Sequence, residues 1–526
     1  MRAGTLGPWM FTAIPLYLFA TIAIGWRFRH LRSTSNDYLN ASRSLPTWAA
    51  ALSFLAYNCG SLEVLGMSAM AAQYGVQALH FYWIGGIPGL VFMAVIVLPI
   101  YMRTGAHSLP EYLEMRFGPD TRMTSAYISM ASTAALSGAA LYALAQVLHV
   151  VVGMSLLSGA LASASVVLIY VLIGGIRATI YASIFQLFVM IGGLTPLFYM
   201  TVRFTAASFA VRSDRWHLWK QLPLLSPNAT LDRIGVALGL GFVISFAYWC
   251  TDFVMIQRAL TARTIEAARR VPLLAGFGKL GIGLLIVLPG VAAPALLHER
   301  VSSFDETMPN LMLFAFGPGL LALGTVALLA SLMVGLAGNV NGFSALWTEE
   351  IYRNRFGRNR SEQHYILVGR ATVVACFLLA LVGAYAAFRF HDLMEYLQLI
   401  LALFYAPVFA ILLAGVAGKR ATERGAQRGI LVGVTAATAL QLGYWAGWVH
   451  FGSQMAANFY TAIMSFSIAT LGCLLFISRK EDKPKSERKE PVINASVLEA
   501  IRPSLALAVM SVLLLLFCLL LNLLWW

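Results

Sequence analysis

Tyr57-Asn58-Cys59-Gly60-Ser61-Leu62-Glu63 sits in the middle of an apolar stretch long enough to cross a bilayer. A small Gly-Ser pair beside an amide and a carboxylate reads in two ways at that depth. It is a break in a membrane helix, exposing backbone carbonyls and half-helix ends that bind ions and solutes. Or it is a kink packed through small residues. A kink accounts for Gly60 and Ser61 but not for the Glu63 carboxylate, because an ionisable group inside a membrane is costly unless it is used.

The rest of the chain has the same apolar character. Of 526 residues, 59% are hydrophobic and 11% charged, and the mean hydropathy is +0.75. A soluble globular chain carries about 25% charged residues. The composition excludes a cytosolic enzyme, a disordered chain and a disulfide-stapled domain. Long unbroken apolar runs exclude a β-barrel, whose strands alternate. The expected class is an all-α integral membrane protein. About 20 apolar residues cross a bilayer, and about 14 stretches meet that criterion. They centre near Tyr17, Cys59, Val91, Leu136, Val167, Val189, Gly241, Leu285, Leu328, Leu379, Phe404, Ala436, Ser467 and Leu514. The run after Arg2 is long, lacks a small-x-small cleavage site and counts as a span.

The net charge of +14 does not indicate nucleic acid. Lys and Arg collect in cytoplasmic loops by the positive-inside rule. With the N-terminus outside, 27 of the 37 Lys and Arg fall in inner segments, Arg258 and Arg269 among them, and 8 in outer ones. That split predicts an N-out, C-out protein. The longest loops are 205–232 outside and 480–501 inside, the latter rich in Lys, Glu, Pro and Ser. The five cysteines read as buried thiols, with no disulfide framework and no metal-ligand spacing. No phosphate-binding Gly-rich loop is present, and no cofactor or metal is expected.

Other polar groups lie within spans. Ser245-Phe246-Ala247-Tyr248-Trp249-Cys250-Thr251-Asp252 follows about 14 apolar residues, so its aromatics lie deeper than an interfacial belt, which is the alternative. Lys279 is far from both ends of its span and needs a carboxylate, carbonyls or water. Glu395 and Gln398 precede Pro407 in the eleventh span. Gln398 offers donors and an acceptor to a hydroxyl-rich ligand, or makes an ordinary interhelical hydrogen bond.

Several stretches together resemble the sodium:solute symporter family, in particular its sodium–glucose cotransporter branch. They are Ser44-Leu45-Pro46, Pro110-Glu111-Tyr112-Leu113 with Arg116-Phe117-Gly118, Tyr248-Trp249-Cys250-Thr251-Asp252, Gln257-Arg258, Leu274-Ala275-Gly276-Phe277-Gly278-Lys279-Leu280, Leu329-Ala330-Ser331-Leu332-Met333 and Thr348-Glu349-Glu350-Ile351-Tyr352. The similarity runs from about 37 to about 419. It implies a LeuT-type core of two inverted five-helix repeats, with the first and sixth core helices broken around a midplane site. The repeats would cover 46–202 and 233–418. Residues 1–45 would hold a peripheral span and an inner loop, 203–232 an extracellular loop, and 419–526 three peripheral spans with a charged cytoplasmic loop near 480–502.

The resemblance places the sugar site at Asn58, Glu63, Tyr82, Ser245, Tyr248, Trp249, Lys279 and Gln398. Six of these carry the side chain of the sugar carriers. Glu63 replaces a His or Gln, and Tyr82 replaces a Glu. The family's sodium-binding hydroxyl pair falls on Val334 and Gly335, neither of which has a side-chain oxygen. A further sodium-associated Asp falls on Ser183. Ser331 remains one turn before the lost pair. Na⁺ needs hard oxygen ligands, as other hard cations do.

The expected function is therefore transport of a sugar or sugar-like polyhydroxyl solute by alternating access, not coupled to sodium at the usual site. Glu63 is the candidate proton carrier, and uniport is the other route. Alternatives are a conventional sodium-coupled sugar symporter or a non-transporting membrane solute sensor. Glu63, Lys279 and Asp252 show no nucleophile–base spacing, so an enzyme is not expected. The partners are a small solute and the lipid bilayer, with protons as the coupling candidate and sodium in doubt. The Ala, Leu and Arg bias points to a multi-pass protein of a bacterial inner membrane.

Overall fold

The computed structural model describes residues 8–27, 45–60, 62–208, 213–219, 233–297, 303–390, 392–417, 422–475 and 501–526. Ser44, Ser61, most of the loop 205–232 and nearly all of the charged loop near 480–502 lie outside them. Among the described residues the chain is helical, apart from one isolated bridge between Leu45 and Ala262.

In chain order the helices are α1 (Pro8–Arg27), α2 (Thr47–Gly60), α3 (Glu63–Tyr74), α4 (Phe81–Thr104), α5 (Leu109–Arg116), α6 (Pro119–Val152), α7 (Leu156–Ile173), α8 (Ala178–Phe204) and α9 (Gly235–Thr251). Then come α10 (Phe253–Leu260), α11 (Ile265–Leu297), α12 (Thr307–Ala315), α13 (Pro318–Phe356), α14 (Glu362–Ala387), α15 (Leu393–Val416), α16 (Glu423–Trp445), α17 (Gln454–Leu475) and α18 (Leu505–Leu524).

Eleven of these are long and apolar enough to cross a membrane, or twelve if the bent pair α9–α10 is one span. Two of the fourteen expected centres fall elsewhere. Cys59 lies on α2, which with α3 makes two pieces of 14 and 12 residues, each too short alone at 1.5 Å per residue. Ala436 lies on α16, whose Glu423, Arg424, Gln427 and Arg428 lower its apolar content.

Both expected breaks are present. At the first, Leu62 is held at φ 76°, with its amide donating to Gly60 O at 3.1 Å. A buried leucine in the left-handed region costs about 1–3 kcal/mol and persists only where its surroundings impose it. Gly60 shows what imposes it. A Cβ there would overlap the Ser331 carbonyl oxygen and approach Val334 Cβ at 3.0 Å, so the chain stops against α13. At the second break α9 and α10 meet at 54°. Asp252 is extended there, and its carboxylate accepts the Met255 amide at 2.8 Å, capping α10.

The two breaks lie inside a frame of long helices. At one end of α6, Arg122 pairs with Glu350 of α13 at 2.7 Å and with Glu114 of α5. Ser108 reaches the same Glu350 at 2.5 Å. At the other end, Tyr142 donates to Asp305 at 3.2 Å, and Asp305 accepts the Leu393 amide at 3.0 Å, fixing the start of α15. Residues 213–219 share a face with the end of α18: Leu218 donates to Trp525 O at 2.7 Å, and Trp525 stacks on Trp83. The outer sides of α1, α14 and α18 expose Leu, Phe and Val, as lipid-facing helices do.

Asp305 makes this junction sensitive to pH. Burial, then the neighbouring Asp392 carboxyl, pushes its carboxyl well above the usual range. The folded chain keeps that proton where the unfolded chain has released it. The contribution to stability is full below the ordinary carboxylate range and is lost as pH rises through the folded value. In detergent-purified protein the unfolding midpoint should fall between about pH 4 and about pH 7, and Asp305→Asn should flatten that fall. Parallel profiles for the two proteins would refute the assignment.

Candidate solute site

A cavity of about 90 Å³ lies between the two breaks. About 10–15 Å³ suffices for one water, so it has room for a small polar cluster. Its lining includes all eight residues expected at the solute site. Asn58 ends α2, Glu63 starts α3, Tyr82 starts α4, and Ser245, Tyr248 and Trp249 lie on α9. Lys279 comes from α11 and Gln398 from α15.

The centre of the cavity is an ion pair. Lys279 Nζ lies 2.7 Å from Glu63 Oε2 and also donates to Asn58 Oδ1. It sits 4.6 Å from the Tyr82 ring centroid and 5.5 Å from that of Trp249. Lys279 is 5% exposed and Glu63 8%. A cation buried this deep needs such company, because desolvation otherwise exceeds the Coulombic gain. Two aromatic faces add attraction of the cation–π kind. Glu63 also benefits from its position in the first turn of α3, at the positive end of the helix dipole.

Polar capacity remains after these contacts. Glu63 Oε1 and Gln398 Oε1 are buried and accept no hydrogen bond from the described residues. An orphaned buried acceptor carries a cost that a ligand hydroxyl removes. Gln398 thus faces the cavity and is not tied to a neighbouring helix through that oxygen. Asn58 Nδ2 is 3.5 Å from Tyr248 Oη, long enough to yield to a ligand. Trp249 is buried and wedged between Phe54 at 5.8 Å and Tyr248 at 5.1 Å. It is therefore not part of an interfacial belt. Around these groups Met67, Phe81, Leu136, Ile244, Met394, Leu397 and Leu401 supply apolar wall. Nothing in their sequence context separates them from ordinary lipid-facing or core side chains.

The position expected for the family's sodium pair offers no side-chain oxygen. Val334 is buried beside Gly60, and Gly335 is on the same buried turn. Ser331 Oγ donates to Leu328 O of its own helix at 2.9 Å. Ser183 Oγ bonds Ile180 O at 2.7 Å and Ser53 Oγ at 3.1 Å. It also accepts Arg258 Nη1 at 3.3 Å. Arg258 donates to Ser53 as well and lies 4.9 Å from the Tyr57 ring.

That contact corrects one reading. Arg258 is 2% exposed inside the protein, not in an inner loop. Arg269 is likewise buried, donating to Ala94 O, Ile501 O and Arg502 O. Two of the 27 cations counted as loop residues therefore belong to the packed interior. Among the described residues no group of three His, Cys, Asp or Glu is placed to hold a metal ion. All five cysteines are free and buried.

Comparison with known proteins places this geometry. A sequence model of the sodium:solute symporter family matches residues 38–433. The sodium/glucose cotransporter of Vibrio parahaemolyticus is 26% identical over 456 residues, covering 80% of this chain and 82% of the relative. Sodium/glucose cotransporter 1 of Ovis aries is 26% identical over 477 residues, covering 80% and 70%. Among solved structures, a Na⁺-coupled sialic acid symporter in a substrate-bound outward-open state matches with TM-score 0.73. The identity is 16%, over 90% of this chain and 98% of that one. A nucleobase–cation-symport-1 family transporter in a closed conformation matches at 0.53 and 12% identity, over 83% and 94%. At these identities the structural matches speak for the fold.

Proposed function

The chain belongs to the sodium:solute symporter family, and from that premise we propose that it carries a sugar or sugar-like polyhydroxyl solute across a bacterial inner membrane by alternating access. In this reading α2–α8 and α9–α15 are two inverted five-helix repeats, in a protein of about fourteen spans with both termini outside. The observation that carries it is the cavity between the breaks. It combines unsatisfied acceptors on Glu63 and Gln398, a cation on Lys279 and the flat face of Trp249. A polyhydroxyl ring offers hydroxyls to the first three and an apolar face to the fourth.

The reading does not couple transport to sodium at Val334 and Gly335, whose side chains offer it no oxygen. Glu63 is the proposed proton carrier: protonation releases it from Lys279, and solute hydroxyls then take up the ammonium. Uniport is the second route, since the Glu63–Lys279 pair is already neutral as a unit. Conventional sodium coupling is a third reading, supported by the names of the relatives.

Uptake of labelled glucose and galactose into proteoliposomes tests these readings under a sodium gradient, a proton gradient and none. Gln398→Ala should lower uptake roughly 10–100-fold, the worth of one or two hydrogen bonds to a polar ligand. Proton-driven accumulation that disappears in Glu63→Gln supports the carrier. Equilibration without accumulation means uniport. Sodium-driven accumulation overturns the reading of Val334 and Gly335. No uptake of either sugar, with Gln398→Ala indistinguishable, overturns the sugar reading.

A further inference from the structure

The second break faces α6 across a cavity, where the first abuts α13 directly. At the first, a bulky Val334 fills the space beside Gly60. At the second, a separate cavity of about 10 Å³ remains, enough for one water-sized particle. Ser129, Ser132 and Thr133 of α6, Thr251 at the end of α9 and Tyr405 of α15 line it together with apolar side chains. All five end in a hydroxyl. An adjacent pair, Ser132-Thr133, stands on α6, whereas the corresponding contact helix α13 has Val334-Gly335.

Four of the hydroxyl protons are committed elsewhere. Ser132 and Thr133 donate to Ser129 O at 2.9 and 2.6 Å, and Thr251 donates to Ala247 O at 2.7 Å. Tyr405 donates to Asp252 Oδ2 at 2.8 Å. Oxygen lone pairs are what these groups have left to offer. That suits a hard cation and not an anion.

A counter-charge is adjacent. Asp252 is 2% exposed and has no ion-pair partner among the described residues. Its other oxygen caps α10 through the Met255 amide. The nearby guanidinium of Arg258 is engaged with Ser53 and Ser183. The carboxylate of the solute cavity, by contrast, already has Lys279.

We propose that this cavity is a monovalent cation site. Ser132, Thr133, Thr251 and Tyr405 hold Na⁺ by their hydroxyl oxygens, and Asp252 balances its charge through Tyr405. The site joins α9, α10, α6 and α15 at one point, so a bound cation holds the second break against α6. The inference does not rest on which solute is carried.

Binding of ²²Na⁺ to the detergent-purified full chain, without solute, tests it. The wild type should bind saturably, and excess unlabelled NaCl should compete while choline chloride does not. Thr133→Val, which keeps the shape and loses the oxygen, should raise the half-saturating concentration roughly tenfold or more. Thr133→Ser, which keeps the oxygen, should retain binding. Asp252→Asn should bind more weakly, and if it does not fold, the two Thr133 variants decide the matter alone. Ser331→Ala reports on the first break and should leave binding as it is. Absence of saturable binding in the wild type overturns the proposal. So does binding that Ser331→Ala removes and Thr133→Val does not. Because no sugar is present, none of these outcomes bears on the solute reading.

Discussion

Lys279→Ala should abolish solute uptake and destabilise the protein by about 3–5 kcal/mol, the cost of stripping the partner from a buried charge. The substitution leaves Glu63 8% exposed with one oxygen already orphaned and the other newly so. It also removes the cation from two ring faces and from Asn58 Oδ1. Glu63→Gln should cost less, because Lys279 keeps the Asn58 oxygen and both rings. The double variant Glu63→Gln, Lys279→Gln should recover most of the stability. A neutral pair of similar volume often serves as well as a buried ion pair. It should not recover uptake, since the charges that select and couple the solute are gone. Thermal unfolding in detergent and proteoliposome uptake, measured on the same four proteins, check these expectations. A single Lys279→Ala variant as stable as the wild type would show that the pair is solvated and structurally idle.

Gly60→Val should prevent the two half-helices from docking, with uptake lost and little folded protein recovered. Even alanine puts a Cβ into the Ser331 carbonyl oxygen. That oxygen belongs to the backbone of α13, an unbroken helix with a fully buried middle, and cannot swing aside as a side chain does. Overpacking of this kind costs about 1–3 kcal/mol, and valine adds a clash with Val334. Combining Gly60→Ala with Val334→Ala should therefore not rescue the fold, because the carbonyl remains. Gly281→Ala on α11 is the contrasting case. Nothing lies within 4 Å of a Cβ at that position, so the change should be neutral or stabilising by up to about 1 kcal/mol. Comparable yields of folded Gly60→Val and wild type, judged by size-exclusion chromatography, would contradict the close approach.

Much of this protein is legible in one dimension. A bilayer demands about 20 apolar residues per helix, so Val91, Leu136, Leu285, Leu328 and Leu514 mark helices without any knowledge of their neighbours. Gly60, Ser61 and Glu63 mark a break for the same reason: lipid forbids an idle carboxylate and an unsatisfied backbone. Lys279 at mid-span likewise announces that a partner exists.

Which partner it has, however, is a matter of packing. Glu63 Oε2, Asn58 Oδ1 and the rings of Tyr82 and Trp249 come from four further helices, and only their approach within a few ångströms makes a site. Arg258 and Arg269 look like loop cations when charges are counted along the chain. Their burial depends on oxygens of Ser53, Ser183, Ala94 and Ile501 supplied by distant segments. Ser129, Ser132 and Thr133 look like small packing residues, since hydroxyls bonded to their own helix cost little in an apolar span. Only packing gathers them with Thr251, at the 54° bend, and with Tyr405 around one cavity. The sequence alone determined that this is a bundle of membrane helices with charged interruptions, because solvation by lipid acts on each segment separately. Which interruptions meet was decided by the tertiary structure, because Coulombic and hydrogen-bond energies act only at contact distance.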